Sequence, residues 1–133
     1  MKNSLILALF LFTSCSDRDN FKNPNESSDM ALLMRDMQFQ LTELQDEILK
    51  GNNITNTYLT FDLIHKKKPT DSSFLVQNLE SMSNSFNESV NEYNRNPSTE
   101  GYRNIVSHCI SCHQNLCPGP LDAILKLNNV NYQ

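Results

Sequence analysis

Residues 98–117 read STEGYRNIVSHCISCHQNLC, and this stretch decides the fold. Tyr102, Ile105, Val106, Cys109, Cys112, His113 and Leu116 recur at helical spacing. Residues three and four apart share a helix face, so these seven form one broad stripe. Ser98 offers an N-capping oxygen, and Pro118-Gly119-Pro120 cannot continue a helix. The spacing predicts a helix from just after Ser98 to about Leu116. Leu121 to Leu127 predict one or two further helical turns.

Three more stripes lie upstream. Met30, Met34, Met37, Leu41, Leu44 and Ile48 alternate steps of four and three from about Asp29 to Lys50. Ser28 or Asp29 can cap that helix, and Gly51 stands where it would stop. Ile54, Tyr58, Phe61 and Ile64 or His65 fit a second, weaker face from about Ile54 to His65. Its β-branched residues weaken the pattern, and Lys66-Lys67-Lys68-Pro69 breaks it. Leu75, Leu79, Met82, Phe86, Val90 and Tyr93 share a third face from about Ser72 to Asn94. Asp71 or Ser72 can cap it, and Pro97 lies beyond its end. No stretch alternates as a strand would, and no segment repeats. Four amphipathic segments with short links predict an all-α fold, an antiparallel four-helix bundle over residues 29–127 with 128–133 as a tail.

A length of 133 residues is that of one domain. With 38% apolar and 20% charged residues the chain is neither a disordered tail nor a coiled coil. A formal charge of −4 leaves no basic footprint for nucleic acid. A core built from about 100 ordered residues is modest, so a bound cofactor would add to stability.

The N-terminus reads as an address. Lys2 precedes eight unbroken apolar residues, Leu5 to Phe12. That length suits a signal-peptide core and is too short to span a bilayer. Residues 1–14 are therefore the expected signal peptide. Thr13-Ser14-Cys15 resembles the lipobox of bacterial lipoproteins, although Phe12 stands where Leu is usual. The resemblance makes Cys15 the lipidation site and the membrane a partner through that lipid. An ordinary secretory signal beside an unrelated Cys is the plainer alternative. Residues 15–28 are mostly polar and charged and predict a solvated tether. Loss of residues 1–14 removes Lys2 and takes the formal charge from −4 to −5. The expected location is the cell envelope, on a bacterial membrane and facing the periplasm or cell surface.

Cys109-Ile110-Ser111-Cys112-His113 is C-x-x-C-H, the attachment motif of c-type haem. Thiols three apart on a helix can each reach one vinyl group of the same porphyrin edge. The adjacent imidazole then reaches the iron as proximal ligand. This attachment happens outside the cytoplasm, which agrees with the expected signal peptide. A redox disulfide between Cys109 and Cys112 is a competing reading, but no βαβ pattern precedes it. A compact zinc site from Cys109, Cys112, His113 and Cys117 is another, cramped within nine residues. Incidental structural thiols are the third.

A C-x-x-C-H near the C-terminus, on the last helix of a four-helix bundle, resembles the class II, cytochrome c′-like, c-type cytochromes. The resemblance covers roughly residues 29–126. Leu33-Met34-Arg35-x-Met37, Ile64-His65, Pro69-Thr70-Asp71 and Cys117-Pro118-Gly119-Pro120 also resemble small exported c-type cytochromes of Bacteroidota-like bacteria. The Cys-Pro-Gly-Pro tail departs from ordinary class II members, whose last helix continues past the His. The resemblance implies one covalent haem c held by Cys109 and Cys112, with His113 on the iron. It also implies that the first helix lines the opposite face. Met34, or else Met37, is then the expected second iron ligand, since thioether suits haem iron. A Met stripe at helical spacing is more often core.

The function these features imply is single-electron transfer between envelope redox partners, with no catalytic acid–base pair and so no enzyme. The first alternative is a gas-binding or gas-sensing module with an open iron site. The second is a zinc-binding structural lipoprotein. Class II relatives often dimerise through their first helices, which makes a homodimer an expectation. Among the remaining residues, His65 reads as a surface histidine, with a second haem ligand or a propionate partner as the alternative, and His108, off the motif face, reads as exposed. Lys66 to Lys68 read as a solvated turn, with steering of an anionic partner protein or contact with a propionate as the alternative. Arg35 reads as a propionate partner or a surface ion pair. Cys117 is the odd thiol, expected to be buried beside the haem edge.

Overall fold

The computed structural model describes residues 26–130. They form four α-helices: α1 (Asp29–Leu49), α2 (Leu79–Arg95), α3 (Thr99–Leu116) and α4 (Leu121–Leu127). Two short 3-10 turns lie between α1 and α2, at Ile64–Lys66 and Ser72–Phe74, and no strand occurs among the described residues. The expected all-α class holds, and the arrangement is compatible with a helical bundle. The expected signal peptide, Cys15 and most of the tether lie outside the described residues.

The caps of α1 follow its sequence. Ser28 Oγ accepts from the Ala31 N–H at 3.2 Å. At the other end Gly51 has φ 71°, a conformation open to Gly at no steric cost. Gly51 N–H then donates to the Ile48 carbonyl and Asn52 N–H to the Glu47 carbonyl, both at 3.0 Å. That pair of bonds is a Schellman cap, and it satisfies carbonyls that the helix itself cannot. Leu33, Met37, Leu41, Leu44 and Ile48 face the core.

The expected helix over residues 54–65 does not form. Residues 51–63 are turns and extended chain, followed by the 3-10 turn at Ile64–Lys66. Local chemistry explains this. Asn53 Oδ1 accepts from the Thr55 N–H at 2.9 Å, which offers the backbone a turn in place of a helix. Further on, Leu59 N–H donates to Asn94 Oδ1 at 2.9 Å and Asn94 Nδ2 donates to the Leu59 carbonyl at 2.7 Å. One side chain of α2 thus satisfies both backbone groups of an extended residue, while Ile54, Leu59 and Ile64 still reach the core.

The third expected helix starts late, at Leu79 rather than Ser72. Asp71 does cap, accepting from the Ser73 N–H at 2.7 Å, but it opens only the 3-10 turn Ser72–Phe74. Leu75, expected on the buried face, is exposed.

Asn96 to Ser98 join α2 to α3, and Ser98 Oγ accepts from the Gly101 N–H at 3.1 Å. These two helices pack closely. Phe86, Val90 and Tyr93 of α2 meet Tyr102, Ile105 and Val106 of α3 in the core, the last three fully buried. A Cβ on Gly101 would sit 3.2 Å from the Tyr93 ring.

The motif lies on α3, and α3 is not the last helix. Beyond Pro118-Gly119-Pro120 the chain turns into α4, which docks on α1 and α3. Gln45, a buried amide of α1, donates to the Lys126 and Leu127 carbonyls at 2.8 and 3.1 Å. Tyr102 Oη donates to the same Leu127 carbonyl at 2.9 Å. A helix C-terminus leaves its last carbonyls without partners, and these two side chains supply them. The packed chain runs past the expected end at residue 127. Val130 is buried, and Arg103 Nη2 donates to its carbonyl.

Candidate functional site

The stripe of α3 changes character along its length. Its N-terminal half is fully buried, whereas Cys109, Cys112, His113 and Leu116 are partly exposed. Over their lengths α1 packs less closely on α2 and α3 than those two pack on each other. Between them lies a cavity of about 240 Å³. Its lining brings together Met34 and Met37 of α1 with Cys109, Cys112 and His113 of α3. Every haem-anchoring and ligand residue expected from the sequence therefore borders one space.

Met37, Ile64 and Phe86 form a buried apolar floor, and Ser81, Ser85 and Ser111 are exposed at the mouth. The volume falls just below the ~300–1,000 Å³ usual for ligand sites.

Burial pushes the Cys109 thiol up to about 12. Cys112 is raised too, first by burial and then by the neighbouring Cys117. Both thiols are free and protonated near neutrality. His113 is held differently. Its Nδ1 lies 2.9 Å from the Cys117 carbonyl oxygen. A carbonyl has no proton to give, so Nδ1 carries it and Nε2 keeps its lone pair. A second bond to one ring nitrogen is how proteins set the tautomer and direction of a metal-binding imidazole.

Several expectations are corrected. His65 is not a surface histidine: its side chain is 9% exposed and its Nδ1 is buried without a partner. It packs on α2 at Glu80 and Ser83, on the flank away from Met82 and Ser85, so it does not face the cavity. His108 is not exposed either; it is half-buried and lines the cavity. Arg35 points away from the site, donating to Ser27 Oγ at 2.7 Å. Lys67 pairs with Asp62 at 2.6 Å, and the Lys68 carbonyl accepts from the Met30 N–H, so the basic run is a clasp on the start of α1. Cys117 is half-buried at the end of α3 and is not part of the cavity lining.

Met82 lines the cavity as well, although sequence reasoning left it in the core. Its place on the α2 stripe carried a thioether signal equal to that of Met34. A wider hollow of about 690 Å³ lies beside the cavity on the polar face of α2. It is shallow, and of its lining only Ser81 and Ser85 also touch the cavity.

Among the described residues no three His, Cys, Asp or Glu side chains converge as ligands for a metal ion. No helix among them is long and apolar enough to cross a membrane. Compared with protein-family models, curated proteins and solved structures, the chain matches none.

Proposed function

We propose that this protein is a monohaem c-type cytochrome of the class II type. On this reading it is an antiparallel bundle with haem c attached to α3, and it passes single electrons between envelope redox partners. One observation carries the reading: Cys109, Cys112 and His113 border the same cavity as Met34 and Met37.

The residues suit the group. Cys109 and Cys112 would hold the group as thioethers, each S–H supplying both the sulfur and the proton added across one vinyl group, so that no oxidant would be needed. Cys109 and Cys112 are free and protonated, one helical step of three apart. His113 offers Nε2, with Nδ1 tied back to the Cys117 carbonyl. Met34 and Met37 line the cavity from α1, and either would offer thioether sulfur to a bound iron. When bound, haem supplies a one-electron iron couple. Phe86, Ile64 and Met37 are buried at the cavity floor, which would limit reorganisation around a bound iron. The expected lipid on Cys15 holds the carrier near its partners and raises their effective concentration.

Zinc receives less support, since no three of its four candidate ligands converge. The gas-binding alternative differs only in the second axial ligand. Two methionines facing the cavity favour the carrier.

The test is co-expression of the full chain with an export and haem-attachment system. Denatured protein on a gel should show peroxidase stain, and C109A/C112A should not. No stain in the wild type overturns the haem reading. A six-coordinate low-spin ferric spectrum supports the carrier, while high-spin iron that binds CO readily supports the gas module.

A further inference from the structure

The cavity has a polarity that the motif does not use. Its lining outside α3 consists of Met34, Met37, Ile64, Ser81, Met82, Ser85 and Phe86. Of these only Ser81 and Ser85 carry hydrogen-bond donors on their side chains. They are four apart on α2, which places their Cβ atoms ~5–6 Å apart on one face. Both are exposed, and neither hydroxyl has a protein partner among the described residues. Ser89, one turn further on, is different: its hydroxyl donates to the Phe86 carbonyl at 2.7 Å. Among the described residues no Lys or Arg lines this cavity; Arg35 engages Ser27, and Lys67 pairs with Asp62.

A haem carries two carboxylates on the edge opposite its vinyl groups. Thioethers at Cys109 and Cys112 would commit the vinyl edge to α3. We infer that Ser81 and Ser85 receive the carboxylate edge, each hydroxyl donating to one propionate at the mouth of the cavity. They are positioning residues, and they replace the Arg or Lys partner the sequence suggested. The inference rests on the haem reading above.

The consequence is electrostatic. An ionised carboxylate beside the iron favours the ferric state, so the midpoint potential falls as the propionates lose their protons. A hydrogen bond to the charged form favours that form and lowers the pH of the bend. Other titratable groups near the mouth are Glu80 and Glu88 on α2, and His108 on α3. Arg95 already engages Glu88 at 2.8 Å. α1 and the Ile64–Lys66 turn add no titratable side chain to the lining.

The experiment is a potentiometric titration against pH on the full haem-loaded chain, in wild type, S81A/S85A and S81T/S85T. Ala at exposed helical sites preserves folding. All three proteins should stain for haem and share one absorption spectrum. The bend should move up by roughly half a pH unit to one unit in the Ala pair, as expected for loss of a donor to a solvent-exposed carboxylate. The Thr pair, which keeps both hydroxyls, should follow wild type. An Ala pair that follows the wild-type curve overturns the assignment and leaves the haem reading standing. A Thr pair that moves as far as the Ala pair also overturns it. A wild-type chain with no haem stain removes both. H108Q, run in parallel, identifies any part of the bend that belongs to that imidazole.

Discussion

His113 and Cys117 hold each other twice. The Cys117 N–H closes the last turn of α3 on the His113 carbonyl at 3.2 Å, and the His113 Nδ1 lies 2.9 Å from the Cys117 carbonyl. Pro118 makes this possible. The residue before a proline is pushed out of the helical region, and Cys117 sits at φ −149°, ψ 78°. Its carbonyl therefore turns off the helix axis and back toward the imidazole.

Pro118→Ala should release that carbonyl by letting α3 run on. On the haem reading, the imidazole then loses a partner that would make it a stronger donor to iron. Covalent haem stain should persist while the midpoint potential rises. An unchanged potential would mean the bond does not tune the ligand.

Met34 and Met37 should separate by experiment. Met37 is 4% exposed, so Met37→Ala should cost ~2–5 kcal/mol by chemical denaturation. Met34 is half-buried, and its truncation should cost under ~1 kcal/mol. Loss of the ferric charge-transfer band near ~695 nm, a signature of His/Met ligation, is expected for Met34→Ala only. If Met37→Ala removes the band instead, Met37 is the ligand.

Asn94→Ala should uncouple the segment between α1 and α2. It strips the Leu59 N–H and carbonyl of their partners together. Two net hydrogen bonds put the loss at ~1–3 kcal/mol in urea unfolding. Asn94→Asp keeps the acceptor and loses the donor, and should fall between.

The protein without haem should lose stability at high pH. Cys109 is raised by burial from 9.0 to about 12, and Tyr93 by burial from 10.0 to about 12. Above about pH 9 the unfolded chain releases the thiol proton that the folded chain retains. Stability from this group is complete below that pH and is lost as pH rises toward 12. Unfolding midpoints of wild type and Cys109→Ala measured from pH 8 to 11 should converge as pH rises. Thioether formation removes the S–H, so haem-loaded protein should lack this contribution.

The local sequence determined α1 and α3 almost to the residue. Their apolar periods are long, and Ser28, Gly51, Ser98 and Pro118 each end a helix by chemistry that needs no distant partner. The C-x-x-C-H motif and the methionine stripe were legible for the same reason. Tertiary structure decided the rest. Residues 54–65 carry helical spacing, yet Asn94 from α2 takes both backbone groups of Leu59, and the segment stays extended. His65 beside three lysines reads as surface, but α2 buries it. His108 reads as off the motif face, but a gap between α1 and the α2–α3 pair puts it on the cavity wall. Short α4 survives because Gln45 and Tyr102, far away in sequence, satisfy its terminal carbonyls. Periodicity reports which face of an element is apolar. Which neighbour covers that face, and which polar atoms find partners there, depends on residues tens of positions away.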